Sequence, residues 1–193
     1  MNYFWTADSH CWHANILKYC NRPWIREGDL VPSTETRDGL AWVSKEVARD
    51  RANEMTEAII EKWNSVVKDG DTVYHLGDFA FVKTVDRVEE LLGRLNGDIH
   101  LYVGNHDNKV VRKSNGFASI RREGLVIVDD VKIWNSHRRF TKEGWNNIKD
   151  GAWHCFGHAH GKGSQGRFEL DVGVDCHNFT PISFEQVSEI MNG

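Results

Sequence analysis

The chain has 193 residues, of which 40% are hydrophobic and 27% charged, with a formal net charge of −4. That length suits a single domain with a full core. No apolar run approaches the roughly 20 residues a bilayer helix needs, and the acidic balance argues against capture of nucleic acid through overall positive charge.

Residues 3–7 form an apolar and aromatic run ending at Asp8, which predicts a buried strand delivering Asp8 and His10 at its carboxyl end. A helix is expected over about 13–20, stopped by Asn21-Arg22-Pro23, and 24–36, with Gly28 and Pro32, reads as an irregular excursion. Residues 24–54 are a candidate lid or insertion within the one domain, 1–193. Between 43 and 67, Val47, Met55, Ile59, Ile60 and Trp63 recur at three- and four-residue intervals, so one long helix or two consecutive helices with a single apolar face are expected. After a turn at 68–71, a second buried strand over 72–76 ends at Gly77-Asp78, a helix is expected over 82–95, and a third strand over 99–103 ends at Gly104-Asn105-His106-Asp107. Residues 125–128 and 131–135 flank Asp129-Asp130 like a hairpin whose second strand feeds Ser136-His137. Short strands follow over 153–156, ending at Gly157-His158-Ala159-His160, and over 168–174, and a final helix over 183–191. Alternating strands and helices early, with antiparallel strands late, predict an α/β protein with a mixed sheet covered by helices on at least one face.

Each cluster of metal-ligand residues stands where a strand is expected to end, and in α/β sheets ligands gather outside the carboxyl ends of strands. A lone His10 or His137 is most often an ordinary histidine, and a lone Gly77-Asp78 is most often a turn. The ordered set supplies carboxylates, imidazoles and one carboxamide, the donor mixture that a bridged pair of divalent cations needs. Asp78 is the candidate bridge, because two cations about 3.5–4 Å apart require an anion between them. His158 and His160, one residue apart, also leave open a site for a single ion on one side of a strand. The cysteines Cys11, Cys20, Cys155 and Cys176 show no CxxC spacing and are expected to be reduced. Cys11 and Cys155 lie next to the candidate ligands, where a thiolate site is the alternative to plain packing.

Taken in order, Asp8-x-His10, Gly77-Asp78, Gly104-Asn105-His106-Asp107, His137 and Gly157-x-x-His160 resemble the motif series of the calcineurin-like metallophosphoesterase superfamily. The stretches 13–16 through 20–23, Tyr74-His75-Leu76-Gly77-Asp78-Phe79 and Asp171-Val172-Gly173-Val174-Asp175 look like a small bacterial and bacteriophage branch of phosphoesterases. Cys11-Trp12 departs from that pattern, which carries a Phe and a small residue there. The resemblance implies a four-layer α/β/β/α sandwich with mixed sheets and a dimetal site at the strand carboxyl ends. It implies one metal on Asp8, His10 and His160, a second on Asn105, His137 and His158, and Asp78 between them. It further implies His106 as the acid on the leaving oxygen, oriented by Asp107, and in-line attack on phosphorus by a hydroxide shared between the metals.

The expected cofactors are two divalent ions, Mn²⁺ first, with Fe, Zn, Ni, Co or Mg as alternatives. The expected partner is a phosphorylated small molecule or a nucleotide-type phosphodiester. A phosphomonoester substrate, a nuclease and a metal-stabilised binding module are the competing readings. A nuclease would draw its cations from Lys109, Arg112, Lys113, Arg121, Arg122, Arg138 and Arg139, and Arg138 or Arg139 would clamp a phosphate. Trp12, Trp24 and Trp145 flank the expected cleft, for stacking or packing. His13 is read as a phosphate contact or a helix cap, His177 as a pocket residue, and His75, His100 and His154 as core histidines. The N-terminus lacks a basic segment and a long apolar core, so no signal peptide is expected and the reading is a soluble cytoplasmic protein without a membrane partner.

Overall fold

The computed structural model describes residues 1–139, 142–162 and 165–193, and the side chain of Trp145 lies outside the described residues. The first half runs β1 (Tyr3–Thr6), α1 (Ala14–Tyr19), β2 (Leu30–Pro32), β3 (Leu40–Trp42), α2 (Lys45–Val66), β4 (Thr72–His75), α3 (Val85–Leu92), β5 (Asp98–Tyr102) and β6 (Ser119–Arg121). The second half runs β7 (Glu123–Val128), β8 (Val131–Ser136), α4 (Lys142–Lys149), β9 (Trp153–Phe156), β10 (Glu169–Asp171), β11 (Ile182–Ser183) and α5 (Phe184–Asn192).

One sheet has the order β11-β1-β4-β5-β6, with β11 antiparallel and the rest parallel. A second has the order β10-β9-β8-β7, with only the β7–β8 hairpin antiparallel. Strand periodicity explains the layering, since alternate residues of β1 face opposite ways. Phe4 joins Val73, Ile99 and Leu101 in a core with Met55, Ile59 and Trp63 of α2 and Val88 and Leu91 of α3. Trp5 joins Ile133, Cys155 and Leu170 in a core between the two sheets. There Trp5 Nε1 donates to Asn135 Oδ1 at 2.9 Å, tying β1 to β8. With α4 packed on β8 and β9, the layers are helices, sheet, sheet, helix, as expected.

The 43–67 periodicity resolves to one helix of 22 residues, started by Ser44, whose side chain accepts from the Val47 N–H at 3.2 Å. Other expectations are corrected by pairing that no local pattern carries. The helix expected over 82–95 is only Val85–Leu92: residues 79–81 ahead of it pair with Cys11, Thr84 at its start is extended, and past its end Arg94 N bonds to the Leu91 carbonyl and Leu95 N to that of Leu92, turns tighter than an α-helix makes. The excursion at 24–36 contains β2, which forms a two-stranded ribbon with β3. The strand expected over 168–174 stops at Asp171, and Val172 and Val174 then bond to Phe156 and Ala7, crossing from the second sheet to the first. Among the described residues no helix is long and apolar enough to cross a membrane.

Candidate metal centre

The carboxyl ends of β1, β4 and β5 from one sheet meet those of β8 and β9 from the other. The turns that follow carry Asp8 and His10, Asp78, Asn105 to Asp107, His137, and His158 and His160. Several of these residues take a left-handed backbone: Asp8 (φ 58°), His10 (47°), Asp78 (57°), His158 (70°) and His160 (49°). Such φ values strain a non-glycine residue by order 1 kcal/mol or more, so their gathering at one place marks a site held open by its surroundings. Glycines allow the turns to touch. A Cβ on Gly77 would lie 2.6 Å from Gly104 N and 2.7 Å from His137 Nδ1, and one on Gly157 would lie 2.6 Å from the Ala7 Cβ and 2.8 Å from Asp8 Oδ2.

The donor atoms fall into two groups, Asp8, His10 and His160 in one and Asp78, His137 and His158 in the other, each with its atoms within 4.8 Å of one another. Asp78 Oδ2 lies 3.4 Å from His10 Nε2 and 3.4 Å from His137 Nε2, so it faces both groups. Its other oxygen accepts from the His106 N–H at 2.7 Å.

Hydrogen bonding settles which ring nitrogens are free to ligate. His137 Nδ1 lies 2.8 Å from the Leu76 carbonyl, which can only accept, so that nitrogen carries the proton. Its Nε2 lone pair then faces Asn105 Oδ1 at 3.0 Å, an acceptor against an acceptor. His160 Nδ1 likewise donates to Asp175 Oδ2 at 2.7 Å, leaving Nε2 as a donor atom. Asp8 Oδ1 and His10 Nε2 are buried without any hydrogen-bond partner. Burial pushes the Asp8 and Asp78 carboxyls above their usual range and the His10 and His137 imidazoles below theirs. Orphaned buried donors and converging lone pairs are the arrangement a divalent cation satisfies, and the oxygen and nitrogen donors fit such ions.

Asp107 has a different task from the one expected. Its Oδ2 accepts from the N–H groups of Asp78 (2.9 Å) and Gly104 (2.7 Å), and Oδ1 from that of Phe79 (2.8 Å). It pins the β4 and β5 turns together instead of bonding the His106 ring. That ring is exposed, with its centroid 5.4 Å from the His10 ring.

Two further residues matter that sequence reasoning gave no role. Arg22 is 2% exposed; its Nη2 donates to the Asp8 carbonyl at 2.7 Å and its Nη1 to that of Ser9 at 3.1 Å. The same guanidinium holds both oxygens of Asp175 at 2.8 Å, the carboxylate that orients His160. Burial draws His160 down, but the bond to Asp175, with Cys20 and Asp8 nearby, raises it to about 10. A ligating histidine predicts some carboxylate behind it; only the fold says that it is Asp175. The Cys20 sulfur is also within 4.8 Å of donor atoms of His160 and Asp175.

The remaining expectations sort cleanly. Cys11 and Cys155 are buried, and burial pushes the Cys11 thiol up to about 12 and that of Cys155 still higher, so both are packing residues. His75 and His154 are buried and bond Ser9 and Ser136, while His100 is half-buried on Ser119. His13 stacks on Phe81 at 4.3 Å and makes no side-chain cap. His177 bonds the Asp171 carbonyl. Trp24 packs edge-on to Phe179. Arg139 pairs with Glu169, whereas Arg138 reaches Asn105 Oδ1 at 3.5 Å.

No family model matches the chain. It is 28% identical to an uncharacterized protein of Methanocaldococcus jannaschii over 193 residues, 96% of this chain and 88% of that one. Among solved structures, a protein of unknown function from Aquifex aeolicus superposes with a TM-score of 0.62 at 19% identity, covering 98% of each chain. The two chains therefore share a fold end to end. An archaeal phosphodiesterase superposes with a TM-score of 0.45 at 17% identity, over 90% of this chain and 82% of the other.

Proposed function

We propose that this protein is a metal-dependent phosphoesterase holding two divalent cations, Mn²⁺ in preference to Fe, Zn, Ni, Co or Mg, and cleaving a phosphodiester or nucleotide-type substrate. The observation that carries this reading is the position of Asp78 Oδ2, 3.4 Å from the Nε2 atoms of both His10 and His137 and so facing two separate donor groups. Asp8, His10 and His160 would hold one cation, Asn105, His137 and His158 the other, and Asp78 would contribute to both. When bound, such a pair offsets the charge that builds on a phosphoryl group and activates water for in-line displacement.

The chain's own groups do the rest. Asn105 supplies a neutral oxygen, which limits negative charge where a phosphate must dock. His106 stands outside both donor groups with its ring in solvent, in reach of a departing oxygen to which it can hand a proton. Asp107 and Arg22 act as positioning residues, fixing the backbone of the turns that carry Asp78 and Asp8.

Chelator-stripped protein, given Mn²⁺, Mg²⁺, Zn²⁺, Ni²⁺ or Co²⁺ singly, is expected to hydrolyse bis(p-nitrophenyl) phosphate faster than p-nitrophenyl phosphate. Preference for the monoester would move the same centre to phosphomonoester substrates; no hydrolysis of either ester by metal-loaded protein would overturn the reading. His106→Ala should keep its metal content and lose about 10²-fold or more in turnover. Unchanged turnover would remove His106 as proton donor.

A further inference from the structure

The acidic composition conceals two cationic clefts that adjoin the metal centre. The larger, about 870 Å³, includes His13 on the His10 side and is lined by Trp12, Phe81, Lys45, Arg49, Lys83 and Arg87. The smaller, about 410 Å³, includes Asn105 and His137 and is lined by Arg112, Arg122 and Arg138, with Glu123 as its carboxylate. Lys45 and Lys83 make no ion pair among the described residues. Arg49 lies 3.4 Å from its chain neighbour Asp50, with both side chains mostly exposed, and also interacts with Glu46. Arg87 meets Glu90 within α3 and lays its guanidinium 4.2 Å over the Trp12 ring. Phe81 is 52% exposed although it stacks on His13, so ring surface remains open in the cleft.

A phosphomonoester or a small diester would occupy the metal centre and leave Lys45 and Lys83 in one cleft, and Arg112 and Arg122 in the other, without an anion among the described residues. Gathering like charges is unfavourable unless an anion meets them, and one phosphate cannot meet groups on both sides of Asp78. A ligand that suits both clefts carries phosphates before and after the scissile one, and a flat apolar face for Phe81. Stacking on an exposed ring needs an unpaired base, which a duplex does not offer.

We infer that the substrate is a single-stranded oligonucleotide, an inference that rests on the phosphoesterase reading above. Its flanking phosphates lie against Lys45, Arg49, Lys83 and Arg87 on one side and Arg112, Arg122 and Arg138 on the other, with a base on Phe81. One water is consumed: its oxygen forms the new bond to phosphorus, and the bond from phosphorus to the departing sugar oxygen breaks with its electron pair. That oxygen takes a proton from His106 while the attacking water releases one to solvent, from which His106 is reprotonated, leaving one strand ending in a phosphomonoester and one in a hydroxyl.

The test compares Mn²⁺-loaded protein on a short oligothymidylate and on the thymidine dinucleoside monophosphate, which has no flanking phosphates. Alongside it, the anisotropy of a fluorescein-labelled oligothymidylate is followed on chelator-stripped protein against salt concentration. We expect kcat/KM to be about tenfold or more higher for the oligomer, and log K to fall with log salt at a slope of about −3, for roughly four phosphates at ~0.7 each. Lys45→Gln with Lys83→Gln should flatten that slope by about 1.4, and Phe81→Ala should weaken binding by about tenfold. Lys132→Gln, the same charge change at the far end of β8, is the control and should alter neither. Equal cleavage of oligomer and dinucleotide, salt-indifferent binding, or tighter binding of a duplex would each overturn the inference, while continued hydrolysis of bis(p-nitrophenyl) phosphate would leave the phosphoesterase reading standing. Loss of that small-diester hydrolysis with every ion would instead bring down the reading on which the inference rests.

Discussion

Asp8 and His10 are 0% and 2% exposed, whereas Asn105 and His158, across Asp78, face solvent. The inner group is backed by a chain of charge that runs from the buried Arg22 to the partly buried Asp175 and His160. The outer group is backed by a backbone carbonyl behind His137 and leaves Asn105 and His158 in the open. The difference separates two requirements of one site. On the proposed function, the more closed side would hold a cation in place, and the open side would let a phosphate and its leaving group approach. On the proposed function, the inner ion should therefore be the last to leave under a chelator and the outer ion the first.

The sharpest way to break this comparison is to remove what both groups share. Asp78→Asn is expected to lose both metals and roughly 10³-fold or more in diester hydrolysis; two tightly bound ions, measured by elemental analysis, would show that Asp78 is no bridge. A smaller effect separates the groups. Asp175→Asn should weaken the inner ion by about 10–100-fold while sparing the outer one, and His158→Ala should do the reverse. Competition with a metallochromic indicator checks both, and identical chelation curves for the two variants would erase the inner and outer distinction.

The smallest expected effect concerns the wall behind the outer group. His154 bonds Ser136 across β8 and β9, and burial lowers its imidazole from 6.5 to about 4. Below pH 6.5 the unfolded chain takes up a proton that the folded chain refuses, so this group removes stability as pH falls from 6.5 towards about 4 and removes no more below that. The full loss is roughly 3 kcal/mol. Urea unfolding of metal-free His154→Gln should show a flatter pH dependence than the wild-type chain over that window; the same slope would clear His154.

Much of this was legible in the residues alone. Asp8, His10, Asp78, Asn105, His137, His158 and His160 all stand at carboxyl ends of strands, because strand periodicity and the residues that stop it are local properties. The task of Asp107 was misread for the same reason. Its neighbour in sequence is His106, but its hydrogen-bond partners belong mainly to the β4 turn, 28 and 29 residues away. The length of α3 was missed at both ends, since Thr84 is extended and the chain past Leu92 tightens into turns.

Local patterning carries the candidate donor residues, their order along the chain and the alternation of strands and helices that presents them. Only the tertiary structure decided that two sheets bring those strand ends together, that Arg22 and Asp175, separated by 153 positions, back His160, and that Lys45, Arg49, Lys83 and Arg87 share a cleft. The physical reason is range. Hydrophobic periodicity and turn chemistry act over a few residues and leave a record in the order of letters, whereas ion pairs and cavities depend on which surfaces the folded layers bring within a few ångströms.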